Sequence, residues 1–572
     1  MILQDFILLI FKRLLLFALL VSSLVHADQF YQSRTWLNVL YYQKTSQGYL
    51  SIADADTFFI TPMGKTDPKA EYEASVQLAK TQDTDFRKKF PLRYKLITTH
   101  LNLPYQPLVT PNQSVNRMSI AYPNRYMSNP SSMFGHLFLM MNSDKGLMDS
   151  KIVHYIANTD GANSYLYIIN GLSGKFKGWF LEEPYYYRIK DYNYVEDRDI
   201  FYYDLNIPIA KIRDLQLHVI ELKQSHFNYA FLDENCAFFI GKFLNVGLDT
   251  DIIDAPFVAI PSRLITVLKS RGLLQNQFHR PASTTLFNRQ FNHLSLDNQH
   301  QVIQLLTTTP NGIPKDPKVL KAFLTISEYH INNTPDYAQI IRQNRIDAYK
   351  HLQSVGDAQV RIPVNKQPVV ETIHSRSLDV MYGSQNRLFV SYSPINYGIS
   401  DTFGDPEIKT LQAISPRLII NRHQNPQFDL TLATIVNQPL YTRVLTNYSW
   451  RLDSRIGIKD ADMLTNNSYD RGLTYAFGNG TLYGFLGASL SNYDTIADTP
   501  LNDFKLRTSA TLGTSQTLIK DKINASLVYD RQFNQNYISA RVTLKAWAGL
   551  QEIKVIHGNQ FDEIRFQSTV VF

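Results

Sequence analysis

From about residue 372 onward the chain is patterned with a period of two. Tyr448, Trp450, Leu452, Ser454, Ile456 and Ile458 form one mostly apolar face, and Ser449, Arg451, Asp453, Arg455 and Lys459 supply the polar positions. Phe504, Leu506, Ala510 and Leu512 alternate with Lys505, Arg507, Ser509 and Thr511. Ile538, Ala540, Val542, Leu544 and Ala546 alternate with Ser539, Arg541, Thr543 and Lys545. Such alternation sends successive side chains to opposite faces of a sheet. About twelve runs of near ten residues, joined by short turns such as Gly478-Asn479 and Lys520-Asp521-Lys522, predict a transmembrane β-barrel rather than a soluble sandwich with one wet face.

Upstream the texture differs. Residues 28–115 read as mostly helical, as in WLNVLYY, DPKAEYEASVQLAKT and FPLRYKLITTHL, and predict a packing subdomain. From 116 strands take over. SMFGHLFLMMN (132–142) is a nearly continuous apolar run after a Pro-Ser-Ser turn, as expected of a strand buried on both faces, and His136 interrupts it. SKIVHYIAN (150–158) and KGWFLEEPYYYRIKDY (177–192) continue the sheet, and RDIFYYDLNI (198–207) adds a strand or leads into a helix. In FNYAFLDENCAFFIGKFL (227–244) the period becomes helical from Asn235. Cys236, Phe239, Ile240 and Phe243 fall at i, i+3, i+4 and i+7, with Asp233 placed to cap the start and Gly247 to stop the helix. Residues 261–371 return to helices, and 372–572 are the barrel.

Composition narrows the class. With 19% charged and 44% hydrophobic residues among 572, the chain is neither disordered nor a polytopic helical membrane protein. An aromatic share of 12%, with 34 Tyr and 33 Phe, suits strands and membrane interfaces. The net charge of +7 comes without long basic runs. FRKKFPLRYK (86–95) is the densest patch and reads as solvated surface, so no nucleic-acid partner is expected and anionic lipid headgroups are the better match. Residues 1–27 read as an export signal: Lys12 and Arg13 precede LLLFALLVSSLV, and Val25-His26-Ala27 offers a cleavage site, with an uncleaved anchor as the competing reading. The C-terminal strand carries Ile564, Phe566, Val570 and Phe572 on one face. A terminal aromatic there resembles the recognition signal of bacterial outer-membrane barrels. The expected place is the outer membrane of a Gram-negative bacterium, with the N-terminal domains in the periplasm.

Cys236 is the sole cysteine, so no disulfide framework exists, and an idle thiol in an oxidising compartment calls for a role. In the first helical turn a thiol faces unpaired N–H groups and the positive end of the dipole, which favour the nucleophilic thiolate. The plainer reading is a small buried hydrophobe. A thiol nucleophile needs a base, and His136 has the side chain whose pKa suits that task. Gly135 beside it permits close approach of a backbone or a substrate. His154 and Asn158 share a face of the next strand, and either could orient His136; Asn235 or the amides at the helix start could hold an oxyanion. No metal cluster or cofactor is called for, and His330 and His351 read as solvent-exposed.

YMSNPSSMFGHLFLMMNSD, followed by HYIANTD and FNYAFLDENCAFF, resembles the Lnb N-terminal periplasmic domain family. The first stretch looks like that family's Pro-Ser-Ser-x-Phe-Gly-His strand and the last like its Asn-Cys helix start. The order of His on a strand before Asn-Cys on a helix is also that of circularly permuted papain-like enzymes, including the lecithin:retinol acyltransferase type. The resemblance covers roughly 115–260. It implies an α+β papain-like domain with helical flanks, here fused to a barrel. It also implies lipoprotein N-acylation, in which an acyl chain passes from a phospholipid donor to the thiol and then to the amine of a lipoprotein. Carried over by position, Cys236 is the nucleophile and His136 the general base and acid. Ser131 and Ser132 belong to the motif, with turn-shaping hydrogen bonds as their plainer role. An acyltransferase also needs an apolar cleft, for which Phe134, Phe138, Met140, Met141, Phe238, Phe239 and Phe243 supply material.

The barrel sets this chain apart from Lnb-like proteins that end in helical spans, and leaves another envelope acceptor open. Two rivals stand beside acyl transfer. One is a Cys–His hydrolase, amidase or lipase-like, acting on envelope lipid or peptidoglycan. The other is a non-enzymatic barrel, transporter or adhesin, with a periplasmic binding module.

Overall fold

A computed structural model describes residues 30–571 except 128–131, 134, 160–166, 168–169, 172, 249, 253–258, 356–375, 398–407, 423, 521, 533–534, 547–548 and 560. The expected export signal, Ser131, Phe134 and Phe572 lie outside the described residues. The chain divides into two compact units, one of Met1–Asn124 with Gly135–Ala282 and one of Arg125–Phe134 with Ser283–Phe572.

The first unit opens with helix α1 (Arg34–Val39), a hairpin of β1 (Tyr42–Thr45) and β2 (Gly48–Ser51), and helices α2 (Pro68–Lys80), α3 (Thr84–Lys89) and α4 (Pro91–His100). The hairpin interrupts the expected helical run, and its turn uses Gly48 at φ +126°. Asp67 caps α2 by accepting from the Lys69 and Ala70 N–H groups, with Pro68 in the first turn, where a missing N–H costs nothing.

Arg93, within the patch expected to be solvated, is instead fully buried. Its guanidinium lies 3.3 Å from Glu71 and 3.9 Å from Glu221, between the Phe58 and Phe90 rings at 4.3 and 4.2 Å. The Arg93 backbone N–H also donates to Glu221 Oε1 at 2.8 Å. Two carboxylates and two aromatic faces compensate the desolvated cation.

A seven-stranded antiparallel sheet follows. It is built from β3 (Val115–Pro123), β4 (Phe138–Ser143), β5 (Lys151–Asn158), β6 (Phe176–Pro184), β7 (Ile200–Leu205), β8 (Phe227–Tyr229) and β9 (Leu274–Arg280), in the order β8-β6-β5-β4-β3-β7-β9. Helix α5 (Tyr185–Ile189) and a π turn (Lys190–Val195) follow β6. Helices α6 (Ile209–Leu222), α7 (Cys236–Leu248) and α8 (Pro261–Ser270) complete the unit. Three sequence expectations shift. The β6 strand ends at Pro184, which cannot donate to a ladder, so YYYRIKDY is helical. Strand β4 starts only at Phe138, so His136 lies in its lead-in; Gly135 has φ +85°, and a Cβ there would meet the Tyr122 ring at 2.5 Å. Strand β9 extends the sheet, so this unit runs to Ala282 rather than 260.

The second unit begins with helices α9 (Ser283–Phe291), α10 (Leu296–Thr307), α11 (Pro317–Asn333) and α12 (Ala338–Val355). Val302, Leu305, Leu320, Phe323 and Ile326 form their core, together with Val444 and Leu445. His330 is buried there rather than exposed, with Nδ1 3.3 Å from Thr334 Oγ1.

The barrel strands are β10 (Ser377–Gly383), β11 (Arg387–Ser393), the short β12 (Ile395–Tyr397), β13 (Ile408–Asn421), β14 (Gln424–Gln438), β15 (Ser449–Lys459), β16 (Asp462–Phe477), β17 (Gly480–Asp494), β18 (Thr499–Ile519), β19 (Ile523–Gln532), β20 (Gln535–Ala546), β21 (Gly549–Gly558) and β22 (Asp562–Val571). Neighbours pair in chain order, β10 pairs β22 with Ser377 opposite Val571, and β11 pairs β13. The short β12 prolongs the β11 edge along β13, which leaves a closed wall of twelve strands with no free edge among the described residues. The apolar face points outward: Leu486, Leu506 and Leu512 are among its most exposed residues.

Inside, the turn after β17 folds into the lumen. Asp498 meets Arg417 at 2.8 Å and Arg565 at 3.0 Å, and Tyr493 donates to it at 2.9 Å. Arg565 donates to the Ile496 carbonyl, and Arg387, paired with Glu563 at 2.6 Å, donates to that of Ala497. Asp498, Tyr493, Arg565, Arg387 and Glu563 are buried and Arg417 is half-buried, so the barrel carries a charged internal plug.

Candidate active site

The first turn of α7 is fixed by Asn235, not Asp233. Its Oδ1 accepts from the Ala237 and Phe238 N–H groups at 2.9 and 3.4 Å, and its carbonyl accepts from Phe239, the geometry of an N-cap. Its amide donates to the Phe231 and Ala259 carbonyls at 3.1 and 2.6 Å. Both amide hydrogens are thereby committed, and the Asn235 side chain has none left for an oxyanion. Gly247 does not stop the helix, which runs on to Leu248.

Cys236 is the first residue of α7 and is 3% exposed. The Leu137 backbone amide favours the thiolate, which puts the residue next to His136 beside the thiol. The Ala237 and Cys236 amides also favour the thiolate, as does the nearby Arg198 charge, but burial outweighs them and pushes the thiol up to about 11. The dipole argument from sequence is therefore overruled: the resting site holds a thiol.

His136 faces His154, whose ring is 6.4 Å away edge-on, and Tyr192 at 5.9 Å. Its Nε2 is buried and has no hydrogen-bond partner among the described residues. Burial, then the His154, Arg198 and Arg188 charges, lower its pKa well below the usual histidine range, so it is a neutral base. His154 is fully buried on β5, opposite Phe138. Its Nε2 lies 3.3 Å from Glu183 Oε2, and burial, with the Arg188 charge, lowers its pKa to about 4. Asn158, the other candidate, is exposed at the end of β5, opposite Lys177. Between the two, burial and proximity to His136 mark His154.

Three residues that the sequence reading missed complete the site. The Tyr229 hydroxyl lies beside Cys236, and its ring stacks on Tyr155 at 5.5 Å. Burial, then Cys236, hold its pKa well above the ordinary phenol value, so it stays a donor. Arg198 donates to the Pro123 and Asn124 carbonyls, pairs with Glu196 at 2.8 Å and lies over the Tyr192 ring at 5.0 Å. Tyr192 stacks on Phe138 at 5.9 Å. Tyr229 was within reach of the sequence, inside FNYAFLDENC and on the same strand face as Phe227. Arg198 and Tyr192 reach the site only through the tertiary fold.

The expected acyl cleft is differently used. Phe138, Met140, Met141, Phe238, Phe239 and Phe243 are all buried, with Phe239 4.2 Å from Tyr155 and Phe243 5.8 Å from Phe180. These rings pack the sheet against α7 as core. Ser132 is half-buried and its carbonyl accepts from the Tyr126 N–H, a turn-shaping contact.

A histidine lead-in, an Asn-capped cysteine and a contact joining them stand in one sheet-and-helix unit. Residues 105–269 match the Lnb N-terminal periplasmic domain. Residues 28–100, just before this Lnb domain, match a domain of unknown function, DUF7843. No curated protein matches the chain. Among solved structures the barrel is similar to a KdgM porin (9% identity, 34% of this chain and 99% of the porin, TM-score 0.24). It is also similar to a KdgM porin in complex with disordered oligogalacturonate (8%, 34% and 99%, 0.25), and to a BenF-like porin from Pseudomonas fluorescens Pf-5 (12%, 34% and 59%, 0.18). The Lnb domain is thus joined to a closed barrel with an apolar outer wall. The protein belongs to the outer membrane, with its N-terminal part in the periplasm.

Proposed function

We propose that the Lnb domain performs thiol-dependent acyl transfer at the periplasmic face of the outer membrane. The observation that carries this reading is the Leu137 amide beside the Cys236 sulfur, which brings the cysteine and the His136 lead-in together. The unpartnered His136 Nε2 takes the thiol proton as the sulfur attacks an ester carbonyl of a phospholipid. The Cys236 N–H and the Tyr229 hydroxyl stand where the oxyanion develops, and the cap leaves that amide outside its own bonds. The C–O bond breaks, the imidazolium returns the proton to the leaving alkoxide, and lysophospholipid departs from a Cys236 thioester. An amine, that of a diacylated lipoprotein or another envelope acceptor, then attacks. Its proton passes to His136 and on to the departing thiolate, which regenerates the thiol.

The burial of the thiol and its raised pKa favour a second reading, in which the domain only binds and Cys236 is a core residue. One experiment separates them. Purified full-length protein is incubated with acyl-labelled phospholipid and analysed for a hydroxylamine-sensitive adduct on Cys236, then given a diacylated lipopeptide. Acyl transfer requires an adduct that is absent from Cys236→Ser and that discharges onto the peptide amine. Discharge to free fatty acid alone makes the protein a hydrolase, and absence of any adduct leaves the binding module.

A further inference from the structure

The outer wall of the barrel is not evenly filled. An apolar hollow of about 770 Å³ opens across strands β16 to β19, with Leu473, Leu482, Leu486, Leu512 and Tyr529 around it. Its floor is Gly484 and Ala510. Gly484 lies between Leu473 and Leu512 in the cross-strand register, and Ala510 stands opposite Leu486. Gly484 faces outward, since its strand neighbour Phe485 is buried inside while Leu482 and Leu486 are exposed outside. Nothing in the wall demands a glycine there: an added Cβ would meet Thr511 O at 3.8 Å and Leu512 Cδ1 at 3.9 Å, ordinary contacts. At the adjacent Gly472 a Cβ would strike the Gly484 carbonyl at 1.9 Å, so that glycine is dictated by packing. The missing side chain at 484 therefore creates the hollow without serving the sheet.

A cation stands at its edge. Arg471, opposite Leu486, is exposed on this apolar face, and among the described residues its side chain makes no ion pair. The guanidinium lies 4.2 Å from the Tyr448 ring, drawn toward the residue that precedes β15. A planar cation on a lipid-facing wall calls for an anion, and phosphate is what guanidinium recognises best.

Strand direction fixes the leaflet. The chain enters β10 from the periplasmic domain, and up-and-down order then puts the 478–479 turn at the periplasmic end as well. Gly484 is four residues into β17, and Tyr448 sits just before β15. The hollow thus faces the inner leaflet, which is built of glycerophospholipid. We propose that it holds one glycerophospholipid, with an acyl chain over Gly484 and Ala510 and the phosphate on Arg471. This assignment does not rest on the chemistry at Cys236.

The test uses the full chain reconstituted in vesicles of phosphatidylethanolamine, phosphatidylglycerol and lipid A. The protein is re-extracted in mild detergent and weighed by native mass spectrometry. One glycerophospholipid should remain bound. Gly484→Leu, which fills the hollow, and Arg471→Ala, which removes the cation, should each cut the retained fraction at least fivefold, while Leu506→Ala further along the wall should not. Heat-modifiable migration on gels shows that each variant is folded, and Arg471→Ala alone decides if Gly484→Leu is not. No retained lipid, equal retention by the folded variants, or retention of lipid A in place of phospholipid would each overturn the assignment.

Discussion

The Leu137 backbone amide lies beside the Cys236 sulfur, where the two halves of the candidate site meet. One belongs to the lead-in of a strand, the other to the first turn of a helix, and the His136 ring is placed by the same backbone. Because the Leu137 group is a backbone amide, side-chain substitution at 137 leaves it in place. The groups that can be varied are the thiol, its base and the donors around them.

Alkylation reads the state of the thiol. With Cys236 pushed up to about 11, the thiolate is scarce at neutral pH. Iodoacetamide should label it about a hundredfold or more slowly than a model thiol at pH 7, and the rate should climb with pH beyond the point where a model thiol levels off. Labelling as fast as the model thiol would show a resting thiolate instead.

Tyr229 and Asn235 should separate chemistry from structure. Tyr229→Phe keeps the stacked ring and removes the hydroxyl, so thioester formation should fall by about a hundredfold with little change in melting temperature. Asn235→Ala removes the cap and strands two buried carbonyls, which should cost about 2–3 kcal/mol of stability, read by chemical denaturation. If both variants lose only stability, Tyr229 has no catalytic part.

Acid should weaken the periplasmic unit. His136, His154 and His218 are buried, and all have pKa values held below the ordinary histidine value near 6.5. Folded, they bind fewer protons than unfolded, so their stability is complete above about pH 6.5 and is lost as pH falls toward about 4, the value for His154. Charging His154 alone corresponds to about 3 kcal/mol. Thermal melts by circular dichroism from pH 7.5 to 4.5 should show the drop, and His154→Gln should reduce it; a flat profile would contradict the burial of these rings.

Arg93 offers a sharper stability test. Arg93→Met leaves Glu71 and Glu221 buried without their cation, at a cost of about 3–5 kcal/mol, far beyond a surface arginine. Denaturation midpoints should show the loss, and adding Glu71→Gln to Arg93→Met should return part of it. A neutral single variant would place Arg93 at the surface, where its sequence context had suggested it.

The lumen plug should show in conductance. In planar bilayers the wild-type barrel should pass little current, and Asp498→Ala, which removes the carboxylate that ties the turn to both Arg417 and Arg565, should raise it severalfold. Equal currents would mean that the turn after β17 does not obstruct the lumen.

The barrel was legible because alternation is a local signal repeated along every strand, down to the turns at Gly478 and Lys520. Cys236 at a helix start and His136 beside a strand were legible too. The thiol's ionisation was not, since a helix start shows in sequence and the depth of burial does not. Choosing Asn235 over Asp233 needed the Phe231 and Ala259 carbonyls, which an asparagine amide satisfies and a carboxylate cannot. Phe138, Phe239 and Phe243 have the composition of an acyl cleft and of a core alike, and only the Tyr155, Tyr192 and Phe180 rings against them distinguish the two.

Arg93 lies in the DUF7843 match and Glu221 in the Lnb match; without Glu221 the arginine keeps Glu71, but without Arg93 Glu221 loses its guanidinium partner. The border between the two families at residues 100–105 is therefore a line in the sequence, not a seam in the fold. A gene rearrangement that carried the second segment without the first would inherit a stranded carboxylate at its centre. The two should descend together as one heritable cassette, and a natural chain bearing the second alone should have replaced Glu221.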